Sequence, residues 1–333
     1  MPTPRQNPPA KRGIEQDASI VATVSGFMQR SYAADYAGFA LLLLAYIIIQ
    51  MAVEPFHRMF SLDNLSIQYP HAEVERVPVM WNIGYAVVIP LCVFLLWAII
   101  FQPSFHKINV TILGFAISIM LATCLTDIVK NSVGRPRPDL IARCKPKKGT
   151  SEHSLVTIKV CTETNHHTLH DGWRSFPSGH SSLSFSGLGF LALFLAGQMH
   201  IFRPRTDLAR VLLAFAPLVG AALIAISRLE DYRHDVYDVT TGSILGMLVA
   251  YFSYQRYYPG LKSRQCDTPY PSRAEWASAN GYGKLRDEEA PTDSTGSYSV
   301  DDMEHGAEHV PLRGPSRDRD RDRVRIAGSS SES

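Results

Sequence analysis

Apolar residues are concentrated in the middle of this chain, where they form six long runs separated by polar segments. The runs cover about residues 36–53, 81–101, 109–129, 181–199, 209–227 and 236–254. A run of about 20 apolar residues is long enough to cross the hydrocarbon core of a bilayer as a helix. The pattern therefore predicts an all-α, polytopic membrane protein whose six transmembrane helices form one domain, residues 33–258.

Polar segments flank this predicted domain. Residues 1–32 are rich in proline, and residues 259–333 include a run of alternating arginine and aspartate from Arg317 to Arg323. Segments with few apolar residues cannot bury enough surface to offset the entropy lost on folding. We therefore expect a disordered head (1–32) and a disordered tail (259–333), with binding of a partner by the tail as an alternative. The N-terminus lacks the apolar stretch of a cleavable signal peptide.

Basic residues in the short connecting segments predict the orientation of the helices. Six spans place both termini on one side, which also carries Arg203 and Arg205 before the fifth run and Arg256 after the last. Short cytosolic loops are enriched in lysine and arginine, whereas long loops are poor signals. We therefore expect both termini in the cytosol, and the long basic loop 131–178 in the lumen or outside the cell. The formal net charge of +2 gives no indication of a nucleic acid partner.

Two features are expected on that lumenal or external side. Asn64 begins an Asn-Leu-Ser glycosylation sequon in the loop between the first two runs. Cys144 and Cys161 share the long loop, and they can form a disulfide if the loop faces an oxidising compartment. Cys92 and Cys124 lie within apolar runs, where packing is the simplest interpretation of a cysteine.

A charged segment between the last two runs carries chemistry that a simple turn does not need. It runs from Ser227 to Asp238 with the sequence S-R-L-E-D-Y-R-H-D-V-Y-D. His234 and Asp238 are four residues apart, so they share a face at the start of a helix. An aspartate bound to one imidazole nitrogen leaves the other aimed and unprotonated, as in a base or a nucleophile. Arg228 adds a planar guanidinium suited to phosphate, although a charged loop at a membrane surface has the same composition.

Two further segments end on the same membrane face. Lys130 follows the third run, and Arg137 comes after six intervening residues. The fourth run opens with F-P-S-G-H, where Ser178 and Gly179 leave backbone N–H groups free at a helix N-terminus that favours anions, and His180 supplies a proton donor. A phosphate monoester carries close to two negative charges at neutral pH. Three cations and a helix N-terminus together predict a site for such a group.

These motifs, K-x6-R-P, P-S-G-H and S-R-x5-H-x3-D, resemble those of the type 2 phosphatidic acid phosphatase (lipid phosphate phosphatase) superfamily. Within it, K-N-S-V-G-R-P-R-P-D and S-R-L-E-D-Y-R-H-D are most similar to fungal phosphatases that act on diacylglycerol pyrophosphate and phosphatidate. The resemblance implies His234 as the nucleophile, Asp238 as its orienting acid and His180 as the general acid. It assigns the phosphate contacts to Lys130, Arg137, Ser178, Gly179 and Arg228.

The function implied by the resemblance is hydrolysis of a membrane lipid phosphate: phosphatidate, diacylglycerol pyrophosphate or lysophosphatidate. The reaction would pass through a phosphohistidine, in an endomembrane (vacuole or Golgi) or the plasma membrane. No dense cluster of carboxylates or cysteines suits a catalytic metal, so we expect neither a metal nor another cofactor. A metal site of Cys161, His166, His167 and His170 is an alternative that their irregular spacing disfavours.

Two neighbours of the motifs have structural interpretations. Asp127 lies one turn before Lys130 and is expected to be the partner that lowers the cost of burying the lysine. Arg135 belongs to a second R-P dipeptide, but the spacing from Lys130 selects Arg137. Arg135 is therefore expected to be no more than a neighbour of the site.

Three alternatives use the same residues. The substrate can instead be a sphingoid-base or isoprenoid (pyro)phosphate, because headgroup selection depends on loop packing. A vanadate-binding peroxidase would use the same phosphate contacts, but the six spans and the lack of a soluble scaffold argue against it. A non-catalytic lipid-phosphate binder or transporter needs only charge, whereas two histidines, one with an aspartate behind it, favour an enzyme. The sequence leaves the preferred lipid and the oligomeric state open.

Overall fold

The computed structural model describes residues 32–272, and the regular secondary structure in this part of the chain is helical, with only two isolated β-bridges. The predicted head and the tail beyond residue 272 lie outside the described residues. The all-α prediction is confirmed for 32–272. Besides two short 3₁₀ helices (Leu65–Ile67 and Ile158–Val160), the eight α-helices found there are α1 (Ala33–Ala52), α2 (Val79–Phe101), α3 (Phe105–Val133), α4 (Leu140–Cys144), α5 (His166–Asp171), α6 (Gly179–Gln198), α7 (Leu208–Glu230) and α8 (Val236–Gln255).

The six long helices coincide with the six apolar runs of the sequence. Within residues 32–272, five of them (α1, α2, α3, α6 and α7) are long and apolar enough to cross a membrane. The protein is therefore an integral membrane protein. Helix α8 has the required length, but its first half contains Asp238, Thr240, Thr241 and Ser243. The total of six spans accordingly stays a prediction.

Helix α6 lies at the centre of the bundle, where α8, α7 and α3 pack around it. Two glycines of α8, Gly242 and Gly246, form a G-x-x-x-G pair against α6. A Cβ at Gly246 would lie 2.4 Å from the carbonyl oxygen of Ser182, and one at Gly242 would lie 2.5 Å from that of Ser178. Small residues at this spacing let two helix backbones approach closely in a membrane. The contact brings the start of α8 beside the start of α6.

Helix α2 is irregular near its beginning, because residues 84–88 form a π-helical segment. Pro90 follows this segment, and proline in a helix removes one hydrogen bond and crowds the carbonyl four residues earlier. That carbonyl belongs to Ala86, and it faces Gly187 of α6 so closely that a Cβ on the glycine would lie 1.9 Å from it. The irregular turn is therefore the place where α2 meets α6 backbone to backbone.

Two loop regions cover the end of the bundle where α6 and α8 begin. One is the connection 53–78, and the other is 134–178, which contains α4 and α5. A disulfide joins Cys144 to Cys161. Gly134 ends α3 in the left-handed conformation, with φ of 56°, and a Cβ there would overlap the carbonyl oxygen of Phe56. The two loops are thus held against each other at the exit of α3.

The first part of the predicted tail, residues 259–272, packs on the bundle. Cys266 is buried, and its carbonyl accepts a hydrogen bond from the hydroxyl of Tyr254 at 3.2 Å. The side-chain amide of Gln198 donates to the carbonyl of Asp267 at 3.0 Å. The packed part of the chain therefore extends past α8 to residue 272.

Candidate active site

A cavity of about 510 Å³ lies under the two loop regions, where α3 and α7 end and α6 begins. Six of the eight site residues predicted from the sequence line it, although they come from four separate segments of the chain. These six are Lys130, Arg137, Gly179, His180, Arg228 and His234. Ser178 and Asp238 are buried behind its wall.

His234 lies between a cation and a carboxylate. Its Nε2 atom is 3.4 Å from Nη1 of Arg137, and its Nδ1 atom is 3.6 Å from Oδ2 of Asp238. Burial, together with the charge of Arg137, lowers the pKa of His234 to about 3. The imidazole is therefore neutral at physiological pH, and a lone pair on Nε2 is the form compatible with a guanidinium N–H facing it.

Asp238 is fixed by contacts on all sides at the start of α8. Its Oδ1 accepts from Arg135 Nη1 at 2.8 Å, and its Oδ2 accepts from the hydroxyl of Ser175 and from the backbone N–H of Asp235. The last of these contacts belongs to a capping box between Asp235 and Asp238. The distance of 3.6 Å to His234 exceeds that of a hydrogen bond, so the carboxylate faces the ring electrostatically in this geometry.

Arg135 has a larger part in the site than its position in the sequence indicated. It bridges two carboxylates, donating Nη1 to Asp238 and Nη2 to Asp235 at 2.8 and 2.7 Å. It does not line the cavity. Arg135 is thus a neighbour of the site, as expected, and it also holds the acid that faces His234.

The three predicted cations are buried together with partners. Lys130 donates to the carbonyl of Arg174 at 3.2 Å. Arg137 donates to the carbonyl and the carboxylate of Asp171, each at 2.8 Å. Arg228, which is 1% exposed, pairs with two carboxylates at 2.8 Å, those of Glu75 and Asp231. These partners offset the desolvation cost of the buried charges before an anion binds.

Asp127 makes its direct contacts with residues other than Lys130. Its carboxylate is bound by Nη2 of Arg174 at 3.2 Å and by the side chain of Gln50. Arg174, from the loop before α6, thus makes the direct ion pair with Asp127, while the charge of Asp127 still favours the charged form of the buried Lys130, as expected. This contact could not be predicted from local sequence, because Arg174 and Asp127 are 47 residues apart and meet only in the folded chain.

The N-terminus of α6 faces the cavity through Gly179 and His180. Their backbone N–H groups belong to the first turn and have no acceptor within the helix. A Cβ at Gly179 would lie 3.7 Å from Nζ of Lys130, which places this turn beside the lysine. The ring of His180 donates from Nε2 to the carbonyl of Val77 at 3.1 Å. Its Nδ1 atom is consequently the one left for a substrate.

Ser178 has a different position from the one expected of a phosphate ligand. Its hydroxyl caps α6 by accepting from the N–H of Ser181 at 3.4 Å. Its own N–H donates to the carbonyl of Asp238 at 2.9 Å. In this geometry Ser178 joins the starts of α6 and α8, and Gly179 is the first residue of the motif that reaches the cavity wall.

The loops add charged residues to the cavity that the sequence motifs did not indicate. Burial alone would raise the pKa of Asp171, but Arg137 and Arg143 hold it well below its usual value, so this carboxylate is charged. Arg233 pairs with Glu75 at 3.0 Å. Arg233 adjoins His234 in the sequence, whereas Glu75 lies in the loop before α2, between Glu73 and Arg76, and belongs to none of the sequence motifs.

The alternative metal site proposed from the sequence is not formed. Cys161 is bound in the disulfide. Nδ1 of His170 lies 3.0 Å from Nε2 of His57, and its ring stacks on that of His166. No group of three or more His, Cys, Asp or Glu arranged to hold a metal occurs within residues 32–272.

Comparison with known proteins identifies the family to which the motifs of this site belong. The family model described as the PAP2 superfamily matches residues 111–260. Diacylglycerol pyrophosphate phosphatase 1 of Saccharomyces cerevisiae is 40% identical over 237 residues, which cover 69% of this chain and 80% of that protein. This chain belongs to the PAP2 superfamily. All eight site residues predicted from the sequence lie inside the matched region.

Two further members of the superfamily show how far the similarity extends. The probable diacylglycerol pyrophosphate phosphatase 1 of Schizosaccharomyces pombe is 37% identical over 244 residues, covering 71% of this chain and 85% of that protein. Lipid phosphate phosphatase 2 of Arabidopsis thaliana is 37% identical over 221 residues, covering 66% and 75%. No solved structure gives a significant match.

Proposed function

We propose that this protein is a phosphatase that hydrolyses phosphatidate, diacylglycerol pyrophosphate or lysophosphatidate in the membrane, through a phosphohistidine on His234. One observation carries the proposal. A buried, neutral histidine faces the guanidinium of Arg137 in a cavity that also contains Lys130, Arg228 and a second histidine. The names of the similar proteins, which specify lipid phosphate and diacylglycerol pyrophosphate phosphatases, support the substrate class.

The first step is attack by Nε2 of His234 on phosphorus. The N–P bond forms while the P–O bond to the lipid breaks, and the electron pair of that bond stays on the leaving oxygen. The negative charge of the bound phosphate favours the protonated form of His180. This form donates a proton from Nδ1 to the leaving oxygen, while Nε2 keeps its hydrogen bond to the carbonyl of Val77. Lys130, Arg137 and Arg228 stabilise the charge on the other phosphoryl oxygens, together with the N–H groups at the start of α6.

The second step is hydrolysis of the phosphohistidine. Water attacks phosphorus from the side that the lipid has left, and neutral His180 takes its proton. The new O–P bond forms as the N–P bond breaks, so phosphate is released and His234 is neutral again. Both histidines return to their starting protonation states, which makes the cycle complete.

The positive side chains supply the electrostatic stabilisation that a metal ion would otherwise give, so the proposed reaction needs no metal or other cofactor. Removal of divalent cations by EDTA should leave activity unchanged. Loss of activity with EDTA and recovery with magnesium would contradict this part of the proposal.

We further propose that the cavity faces the lumen or the exterior, in an endomembrane such as the vacuole or Golgi or in the plasma membrane. The disulfide between Cys144 and Cys161 lies on the cavity side, and disulfides persist in oxidising compartments. The basic short loops on the opposite side support the same orientation. Labelling of loop 131–178 in sealed vesicles tests it, because access only from the cytosolic side would reverse the topology.

The decisive experiment is phosphate release from a panel of lipid phosphates by the purified protein in detergent. Turnover of phosphatidate, diacylglycerol pyrophosphate or lysophosphatidate by the wild type, absent in His234→Ala, is the expected result. Faster turnover of sphingoid-base or isoprenoid phosphates would change the substrate class. Binding without turnover of any substrate would favour a lipid-phosphate binder or transporter.

A further inference from the structure

The side chain of Asn82 lines the catalytic cavity without a function in the reaction described above. It lies in the first turn of α2 and is 2% exposed. Its Oδ1 atom has no hydrogen-bond partner among the described residues. An unpaired buried amide is costly, and most such groups in folded proteins have a partner. Asn82 therefore brings an amide with free hydrogen-bonding capacity to the wall of the cavity.

Asn82 is on the same side of the cavity as the proposed general acid. The carbonyl of Val77, two residues before α2, accepts the hydrogen bond from Nε2 of His180. Ile83, next to Asn82, and Leu183, one turn after His180, line the same cavity. The leaving oxygen must lie beside His180, so the part of the lipid that follows this oxygen meets the wall formed by the starts of α2 and α6.

The shape of α2 keeps Asn82 on the buried side of the helix. The buried residues of this helix are Asn82, Ala86, Pro90 and Phe94, each four positions after the last. On a regular α-helix a spacing of four drifts by about 40° per step. The wider π-helical turn at residues 84–88 reduces this drift, and π-helical segments are frequent at functional sites.

We propose that Asn82 binds an oxygen of the leaving alcohol, an ester carbonyl or a hydroxyl group close to the phosphate, and so selects glycerol-based lipid phosphates. This inference rests on the proposed function. The amide can donate to a carbonyl and accept from a hydroxyl. Isoprenyl phosphates have only hydrocarbon beyond the phosphate, so they give the amide no partner and leave it unpaired in the complex. A site that hydrogen-bonds one substrate discriminates against an analogue lacking that group.

The test compares three substrates in detergent micelles: phosphatidate with ester-linked chains, its diether analogue without carbonyls, and farnesyl phosphate. The wild type is expected to show a kcat/KM for the ester about threefold to tenfold above that for the diether, the effect of one net hydrogen bond. In Asn82→Leu this ratio should fall to about one. The kcat/KM ratio of phosphatidate to farnesyl phosphate should fall by a similar factor.

Asn109→Leu is the matched control. Asn109 lies near the start of α3, whereas Lys130 at the other end of this helix lines the cavity, and the side chain of Asn109 accepts a hydrogen bond from the hydroxyl of Tyr36. Its ester-to-diether ratio should equal that of the wild type. Equal losses on all three substrates in Asn82→Leu would show a structural role and overturn the proposal. If Asn82→Leu does not fold, Asn82→Ser takes its place in the same comparison of substrates. In either case, an ester-to-diether ratio of one in the wild type overturns the proposal. Absence of wild-type turnover on every lipid phosphate would instead refute the proposed function.

Discussion

The Nε2 atom of His234 lies 3.4 Å from Nη1 of Arg137. The same arginine is fixed through two hydrogen bonds to Asp171. Arg137 thus has two effects in one place: it disfavours the protonated form of the imidazole, and it provides positive charge where a phosphoryl group would be transferred.

The pH dependence should reflect this contact. Because the pKa of His234 is about 3, protonation of this ring should not limit the wild-type kcat/KM near pH 6.5. Removal of the cation in Arg137→Gln removes a cost of protonation, so the pKa of His234 should rise and the acidic limb should move to higher pH. The profile of Arg137→Gln divided by that of the wild type, on one substrate, cancels ionisation of the substrate itself. A ratio independent of pH between 4 and 7 would contradict this prediction.

Replacement of the nucleophile should separate turnover from binding. His234→Ala is expected to lower kcat by on the order of 10⁴-fold or more. Affinity for a lipid phosphate should largely persist, since Lys130, Arg137 and Arg228 remain. Rapid-quench labelling with a ³²P-labelled headgroup should give an acid-labile, base-stable label on the wild type only. Asp238→Asn should be milder, and wild-type turnover by His234→Ala would end the phosphohistidine mechanism.

Arg135 should act as a positioning residue. Arg135→Gln removes its bonds to Asp238 and Asp235, which loosens the acid facing His234. We expect kcat to fall about tenfold to a hundredfold with little change in KM, and Arg135→Lys to recover part of the loss. Arg210→Gln, which removes an exposed arginine paired with Asp207 on the other side of the bundle, is the control. A rise in KM with unchanged kcat would instead indicate that Arg135 contacts the substrate.

The close contact of α8 with α6 should make Gly246 intolerant of a side chain. In Gly246→Ala the new Cβ would lie 2.4 Å from the carbonyl oxygen of Ser182, and overpacking of this kind costs about 1–3 kcal/mol. Gly220→Ala is the control, because the nearest atom is a side-chain carbon at 3.7 Å. Thermal unfolding in detergent should show a lower Tm for Gly246→Ala only. Equal values for both variants would mean that the helices separate readily.

The boundary of the C-terminal tail should be visible in truncations. Deletion of residues 273–333 is expected to leave kcat and Tm close to those of the full chain. Deletion of 265–333 should lower Tm, because it also removes the buried Cys266 and the acceptor of Gln198. Loss of most turnover in the shorter deletion, with insertion intact, would show that the tail belongs to the active unit.

The sequence alone predicted the six long helices and six of the residues that line the cavity, because both depend on local patterns. Apolar runs mark the long helices. The site residues could be predicted because they lie close together in short segments: Lys130 is near Arg137, and His234 is near Asp238. Contacts between distant segments were not predictable in this way. The pairing of Asp127 with Arg174 and the part played by Glu75 depend on how loops fold over the bundle.

Ser178 and Asn82 are two further residues whose contacts could not be predicted from local sequence. The motif around Ser178 indicated a free donor, but a donor is free only if no other element approaches it, and α8 does so at Asp238. Asn82 has no motif around it, and a single asparagine at the start of an apolar run resembles an interfacial residue. Its position became informative only when its lack of a partner could be seen.

The cavity of about 510 Å³ has the size of a site for a small organic molecule. It is smaller than a diacyl lipid, whose two chains each extend through about 15 Å of hydrocarbon core. In the proposed reaction the headgroup alone enters, and the chains stay among neighbouring lipids. The substrate is then met by lateral diffusion in two dimensions, so the rate should follow its mole fraction in the membrane. Inert phospholipid, added at a constant amount of substrate, should slow turnover in proportion to this dilution.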